Sequence, residues 1–177
     1  MASFTVLRKI KHALGFGQTR GFFYGAAPLK RSTVEFFASL DMPLMNIYGL
    51  SESSGPLTTC TINKFNFDTI GVCLEGVEVK IDHPDENGIG EICGRGRNIM
   101  MGYFKNEEAT KEAIDQDGWF HTGDRGRIDE SKLLYVTGRI KELIITAGGE
   151  NIGPVPIEDT FKSFCPMASN IMVVGEN

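Results

Sequence analysis

The stretch Arg20–Gly49, RGFFYGAAPLKRSTVEFFASLDMPLMNIYG, sets the architecture. Arg20–Tyr24 is short and aromatic, which favours extended backbone, so a strand is expected there. Gly25-Ala26-Ala27-Pro28 follows as a turn of small residues. Ser32 and Glu35 stand three apart ahead of Phe36 and Phe37, the pattern of a capping box opening a helix that reaches Leu40. Leu44–Tyr48 is a second strand, ended by Gly49. Strand, turn, helix, strand is an α/β unit.

Upstream, residues 3–14 read as an amphipathic helix with Phe4, Leu7, Ile10 and Leu14 on one face and Arg8, Lys9 and His12 opposite. A basic helix of this kind suits a membrane surface or a targeting segment, but its few apolar residues favour packing on a domain. Downstream, from Leu57 to Glu91, short β-type runs are punctuated by Gly71, Gly76, Gly88 and Gly90, and Val77–Ile81 alternates. Asn106–Ile114 is a short helix, and Trp119–Ile128 and Leu133–Thr137 are strands. Leu143–Thr146 is a further strand, Pro156–Phe164 a helix and Asn170–Val174 a last strand, so the final domain reads as unfinished at Asn177. The expected fold class is therefore α/β: an α/β layer, then a β-rich module to about residue 140, then the start of a small α/β domain over 141–177.

Composition narrows the function. The 177 residues carry a formal charge of −5, against the basic surplus expected of a nucleic-acid binder. Cys60, Cys73, Cys93 and Cys165 are far apart and show no zinc-ligand spacing, which argues for reduced thiols and a cytosolic setting. No run approaches the roughly 18 apolar residues that span a bilayer.

Five local patterns carry chemistry. Gly25-Ala26-Ala27-Pro28 would let a flat ring lie against backbone, although for these residues alone a tight turn closing a strand is the better reading. Tyr48-Gly49-Leu50-Ser51-Glu52 gathers an aromatic face, a glycine, a hydroxyl and a carboxylate. The last two suit Mg²⁺, which prefers hard oxygen ligands shared with phosphate. A helix start, with Ser51 as cap and Glu52 favouring the dipole, is compatible with the same residues. Asp124, after His121-Thr122-Gly123, is placed to accept both hydroxyls of a ribose, or simply to form a turn. His121 lacks a nucleophile near it in sequence, so a structural hydrogen bond is its expected role. Arg139, in Gly138-Arg139-Ile140-Lys141, offers a permanent cation for ribose or phosphate oxygens. Gly148-Gly149 is a glycine loop.

In order and spacing, Gly25–Leu29, Tyr48–Glu52, Gly90–Gly96, Gly118–Asp124 and Gly138–Asn151 closely resemble the superfamily of acyl-CoA synthetases, peptide-synthetase adenylation domains and luciferases. Tyr48–Pro56, Gly90–Cys93, Met101–Phe104 and Ile144–Glu158 are most similar to the bubblegum-type long-chain acyl-CoA synthetases. The resemblance implies a ligase that uses ATP, Mg²⁺ and CoA to activate a fatty acid as an adenylate and then form the thioester. It implies that Gly25, Ala26, Ala27, Pro28, Tyr48 and Gly49 hold adenine, Ser51 touches the α-phosphate and Glu52 binds Mg²⁺. Asp124 would take the ribose, Arg139 the nucleotide, and Lys141 the hinge between a large domain (1–140) and a small one (141–177). Gly148 and Gly149 would line the path of the CoA thiol arm.

The family's phosphate-gripping loop and its catalytic lysine near the C-terminus are not read in these residues, and Gly153 stands where the bubblegum group would have proline. The 177 residues alone are therefore expected to catalyse little, since electrostatic stabilisation is usually the largest catalytic contribution. Two other functions stand beside the ligase: a non-catalytic or interaction module, and an adenylation domain loading a carrier protein. The expected location is cytoplasmic, with peripheral attachment to the endoplasmic reticulum or another membrane left open, and no protein partner is expected.

Overall fold

A computed structural model describes residues 2–145, 151–165 and 167–175. The helix α1 spans Ala2–Ala13, and Leu7 and Ile10 are half-buried on it while Val6 stays exposed. The α/β unit follows: β1 (Phe22–Gly25), α2 (Arg31–Ser39) and β2 (Leu44–Leu50), with β1 and β2 parallel. Val34 and Met42 are fully buried beneath this unit. The capping box expected from Ser32 and Glu35 does not form. The helix begins two residues earlier, its cap at Lys30 and not Ser32, with the Lys30 carbonyl accepting from the Thr33 and Val34 amides, and the Glu35 carboxylate is taken by Arg31 at 2.8 Å.

The first sheet continues antiparallel through β3 (Gly55–Thr59) and β4 (Val72–Cys73). Between β2 and β3 the register slips, because Tyr48 faces Thr58 while Gly49 faces Pro56. Leu57 is the residue left over; it is fully buried and packs under Gly94, where a β-carbon would lie only 3.1 Å from it. A second sheet, β5 (Val77–Asp82), β6 (Gly90–Gly96), β7 (Phe120–Ile128) and β8 (Leu134–Arg139), is an antiparallel meander. The helix α3 (Glu107–Ala113) is inserted between β6 and β7, capped by the Asn106 side chain accepting from the Ala109 amide at 3.1 Å.

Ile70, Ile92 and Leu134 form the core that joins the sheets, with Tyr48, Val79 and Ile81 against it. Backbone bonds stitch the same place: the Ile70 amide donates to Leu134 and the Leu134 amide to Gly71. A two-stranded antiparallel pair, β9 (Ile144–Ile145) and β10 (Asn151–Ile152), precedes α4 (Pro154–Phe164). The strand expected over Asn170–Val174 is absent. A strand needs a ladder partner, whereas the Val173 amide donates to the Glu158 carboxylate instead.

Gly49 is a glycine for packing as well as position: a β-carbon there would lie 2.1 Å from the Gly55 carbonyl oxygen. Gly76, at φ 79°, has nothing within 4 Å of a β-carbon. Gly49→Ala should therefore cost about 3 kcal/mol through forced separation of β2 and β3, while Gly76→Ala should cost about 1 kcal/mol of backbone strain alone. Urea unfolding of the two variants against the parent chain measures the difference; equal costs would contradict the close approach.

Candidate nucleotide-binding site

The C-terminal ends of β1 and β2, the 3-10 turn Ser51–Ser53, the start of β7 and the end of β8 surround one cleft of about 1330 Å³. That is roomy beside the roughly 300–1,000 Å³ of ordinary ligand pockets. The site lies beyond the carboxyl ends of a parallel strand pair, where open α/β layers commonly bind ligands.

Most residues singled out in sequence meet here. Gly25, Ala26, Gly49, Ser51, Glu52, Arg139 and Lys141 all line the cleft. Ala27 and Pro28 sit exposed in the turn and do not line it. Ala26 holds φ 66°, a left-handed conformation that is costly for a residue with a side chain. The β-carbon that Gly25 lacks would lie 2.6 Å from the Ile47 carbonyl oxygen, so this glycine first serves the close pairing of β1 and β2. Gly148 and Gly149 lie outside the described residues.

Tyr48 is placed differently from a residue exposed on the cleft. Its ring packs against the Ile70, Ile92 and Leu134 core, and its hydroxyl donates to Asp124 Oδ2 at 2.7 Å. Burial pushes the phenol pKa well up, so Tyr48 remains a proton donor. Asp124 is 5% exposed, and its other oxygen meets Arg139 Nε at 3.2 Å. A buried carboxylate is costly unless paired, and these two partners from β2 and β8 supply the pairing. Arg139 itself is largely exposed, so its guanidinium is available to the cleft.

Ser51 is not the cap of its turn. The buried Ser53 hydroxyl accepts from the Leu50 amide at 2.9 Å, leaving Ser51 exposed to the cleft. Glu52 is tied from outside its own segment: Tyr103 Oη donates to Glu52 Oε1 at 2.9 Å, and the Met100 amide donates to the Glu52 carbonyl. Tyr103 lies within Met101–Phe104, one of the stretches similar to the bubblegum group, but its bond to Glu52 is hidden in the sequence because the two stand 51 residues apart in chain.

Glu91 is the other residue missed. It lines the cleft, its Oε2 lies 2.8 Å from His121 Nδ1 and its Oε1 accepts from the Gly123 amide at 2.9 Å. Burial pulls the His121 pKa down, but the hydrogen bond and charge of Glu91, with Asp115 and Asp82, outweigh it and raise the value above 6.5. Cys93 Sγ is 3.5 Å from the same ring nitrogen, and burial holds its thiol up at about 12. Asp82, Cys93 and His121 thus offer donor atoms within 4.8 Å of one another, a grouping that chain spacing concealed because it forms across β5, β6 and β7. The ammonium of Lys80, 2.9 Å from Asp82, already balances that corner.

This arrangement of fold and cleft defines the class, and the chain belongs to the AMP-binding enzyme family, whose pattern matches residues 4–104. Among curated relatives, it is 53% identical over 171 residues to long-chain-fatty-acid–CoA ligase ACSBG2 of Gallus gallus, covering 97% of this chain and 22% of that protein. It is 49% identical to the ligase ACSBG1 of Homo sapiens, covering 99% and 24%. The chain thus spans about a quarter of the length of these relatives. Among solved structures it is similar to o-succinylbenzoate CoA synthetase of Bacillus subtilis in complex with its acyl-adenylate intermediate. That match has TM-score 0.80 and 28% identity over 96% of this chain and 37% of that one. ATP-bound MatB of Rhodopseudomonas palustris matches with TM-score 0.75 and 31% identity, over 89% and 32%.

Tyr48→Phe should destabilise the chain by about 1.5–3 kcal/mol, because it removes a donor from a buried carboxylate; denaturant unfolding reads the change, and a cost near zero would contradict the pairing. The His121 ring should titrate above 6.5 by NMR. Since folding raises this pKa, the stability it contributes is full below pH 6.5 and fades as pH rises through the folded value. A His121 titration below 6.5 would contradict the Glu91 contact.

Proposed function

We propose that this chain forms the adenine- and ribose-facing wall of an ATP-dependent long-chain fatty acid–CoA ligase. The observation that carries the reading is the convergence of Gly25, Ala26, Ser51, Glu52 and Arg139 on one cleft, with the buried Asp124, itself outside the lining, held by Tyr48 and Arg139 directly behind the lining residue Gly123. Support also comes from the names of the relatives, which are long-chain-fatty-acid–CoA ligases, and from neighbours solved with ATP or an acyl-adenylate.

The reaction has two displacements. A carboxylate oxygen of the fatty acid attacks the α-phosphorus of ATP, and the bond to pyrophosphate breaks to leave acyl-adenylate. The CoA thiol then attacks the acyl carbon, its proton is lost to solvent or a base, and AMP departs. In this reading adenine lies against the Gly25–Ala26 backbone, and the ribose hydroxyls meet Asp124. Arg139 and Ser51 face the phosphate side. Glu52 beside Ser51 fits Mg²⁺, which takes one or two carboxylates together with phosphate oxygens and water; the ion would neutralise phosphate charge. Lys141, in the 3-10 turn Ile140–Glu142, is the proposed hinge between the domains 1–140 and 141–177, a short segment able to absorb backbone change. The proposed location is cytoplasmic, with peripheral attachment to the endoplasmic reticulum or another membrane. Among the described residues no helix is long and apolar enough to cross a membrane.

Calorimetric titration of the chain with AMP tests the site. Saturable binding is expected, weakened about tenfold or more by Asp124→Ala, as a charged hydrogen bond is worth about 1.5–3 kcal/mol. Binding untouched by that change would overturn the ribose assignment. The ligase reading is tested in a chimera in which this chain replaces its counterpart in the Gallus gallus relative. Thioester formation from a long-chain fatty acid is expected, with the KM for ATP raised about tenfold or more by Asp124→Ala; a chimera that folds and binds ATP yet forms no adenylate would contradict it.

A further inference from the structure

The turn that carries Asp124 is an interruption in a sheet. Glu91 pairs with Arg125 and Cys93 with His121, so a single β6 residue, Ile92, opposes the three β7 residues Thr122, Gly123 and Asp124. Those three residues leave the β6–β7 ladder, although Asp124 stays opposite Arg139 in the β7–β8 ladder, and side chains take over the lost hydrogen bonds. The Thr122 hydroxyl donates to the Ile92 carbonyl at 2.7 Å and accepts from the Asp124 amide at 3.1 Å. The Gly123 amide, at φ 73°, has the Glu91 carboxylate as its acceptor. Backbone donors withdrawn from a ladder must find partners, and Glu91 is the one charged group that does so here among the described residues.

We propose that Glu91 is a positioning residue for nucleotide recognition: its carboxylate, spanning from the His121 ring to the Gly123 amide, sets the bulge that presents Asp124, and the His121 charge tightens this brace. The inference rests on the cleft being the nucleotide site. His121 faces Glu91 and Cys93 on β6, Asp82 on β5 with Lys80 and His83 against that carboxylate, and Asp115 on the turn before β7, 3.6 Å from Nε2. Acids dominate this surround, so the ring's hold on a proton is strengthened, and the protonated ring forms a charge-assisted pair with Glu91, the stronger kind of hydrogen bond. As pH rises through the His121 pKa the charge leaves, the pair weakens to a neutral contact, and the Gly123–Asp124 backbone is held less firmly. The nucleotide contact is thereby linked to a proton held two strands from the Lys80–Asp82 pair.

Three readouts on the 177-residue chain test this. Glu91→Gln is nearly isosteric and keeps an acceptor for Gly123 while losing the charge; Glu91→Ala loses both. In the chain without nucleotide, Glu91→Ala should speed hydrogen exchange at the Gly123 amide about tenfold or more, matching loss of one charged hydrogen bond, and Glu91→Gln should speed it less. Glu91→Gln should also lower the His121 titration. With AMP, the ratio of Kd for Glu91→Gln over the parent should be about tenfold at pH 6 and shrink towards pH 9; titration of the AMP phosphate is common to both and cancels. Unchanged Gly123 exchange in both variants, or a Kd ratio independent of pH, overturns the proposal. Failure of the parent chain to bind AMP defeats the nucleotide reading alone, because exchange and the His121 titration still decide whether the brace exists.

Discussion

Asp124 is the constraint around which the molecule is arranged. A carboxylate buried to 5% exposure must be paired, and its partners come from outside its own strand: Tyr48 from the first sheet and Arg139 from β8. The Tyr48 ring is also part of the apolar cluster of Ile70, Ile92 and Leu134, so the hydrogen bond and the core that joins the sheets share one side chain. The carboxylate is therefore fixed relative to β1 and β2, whose ends form the opposite bank of the cleft. Packing sets the position of the group proposed to read the ribose.

The groups that line the cleft sit where regular structure is broken. β2 and β3 slip register at Tyr48/Gly49, β6 and β7 at Thr122–Asp124, and β7 and β8 beside Arg125. At the β6–β7 break two side chains take the freed amides, Glu91 at Gly123 and Thr122 at Asp124, and at the end of β2 the Ser53 hydroxyl takes the Leu50 amide. Bulges of this sort re-aim side chains beside functional sites. The glycines contribute mainly by permitting close strand approach, at Gly25 and Gly49, and the left-handed turn at Gly123.

Much of this could be read from the chain. Alternation and aromatic content marked β5, β7 and β8, and Asn106 marked the start of α3. The candidate residues carried chemistry in compact local patterns, so Ser51, Glu52 and Arg139, which line the cleft, and Asp124, buried behind it, were visible in sequence. What escaped depends on contacts between distant segments. Tyr48 and Asp124 are 76 residues apart, Glu52 and Tyr103 51 apart, and Glu91 and Gly123 32 apart. Local signals also misled where a competing partner was nearer: Arg31 took Glu35 from the expected capping box, and Glu158 took the Val173 amide where a strand was expected.

The most direct measurement of the central claim is an amide chemical-shift map of the chain titrated with AMP. If Asp124 and its surroundings form a nucleotide wall, saturable shifts should concentrate at residues 25–26, 47–52, 121–124 and 139–141, with α1 affected little. Shifts that are absent, or that gather on α1 and leave Gly123 and Asp124 unmoved, would contradict the account.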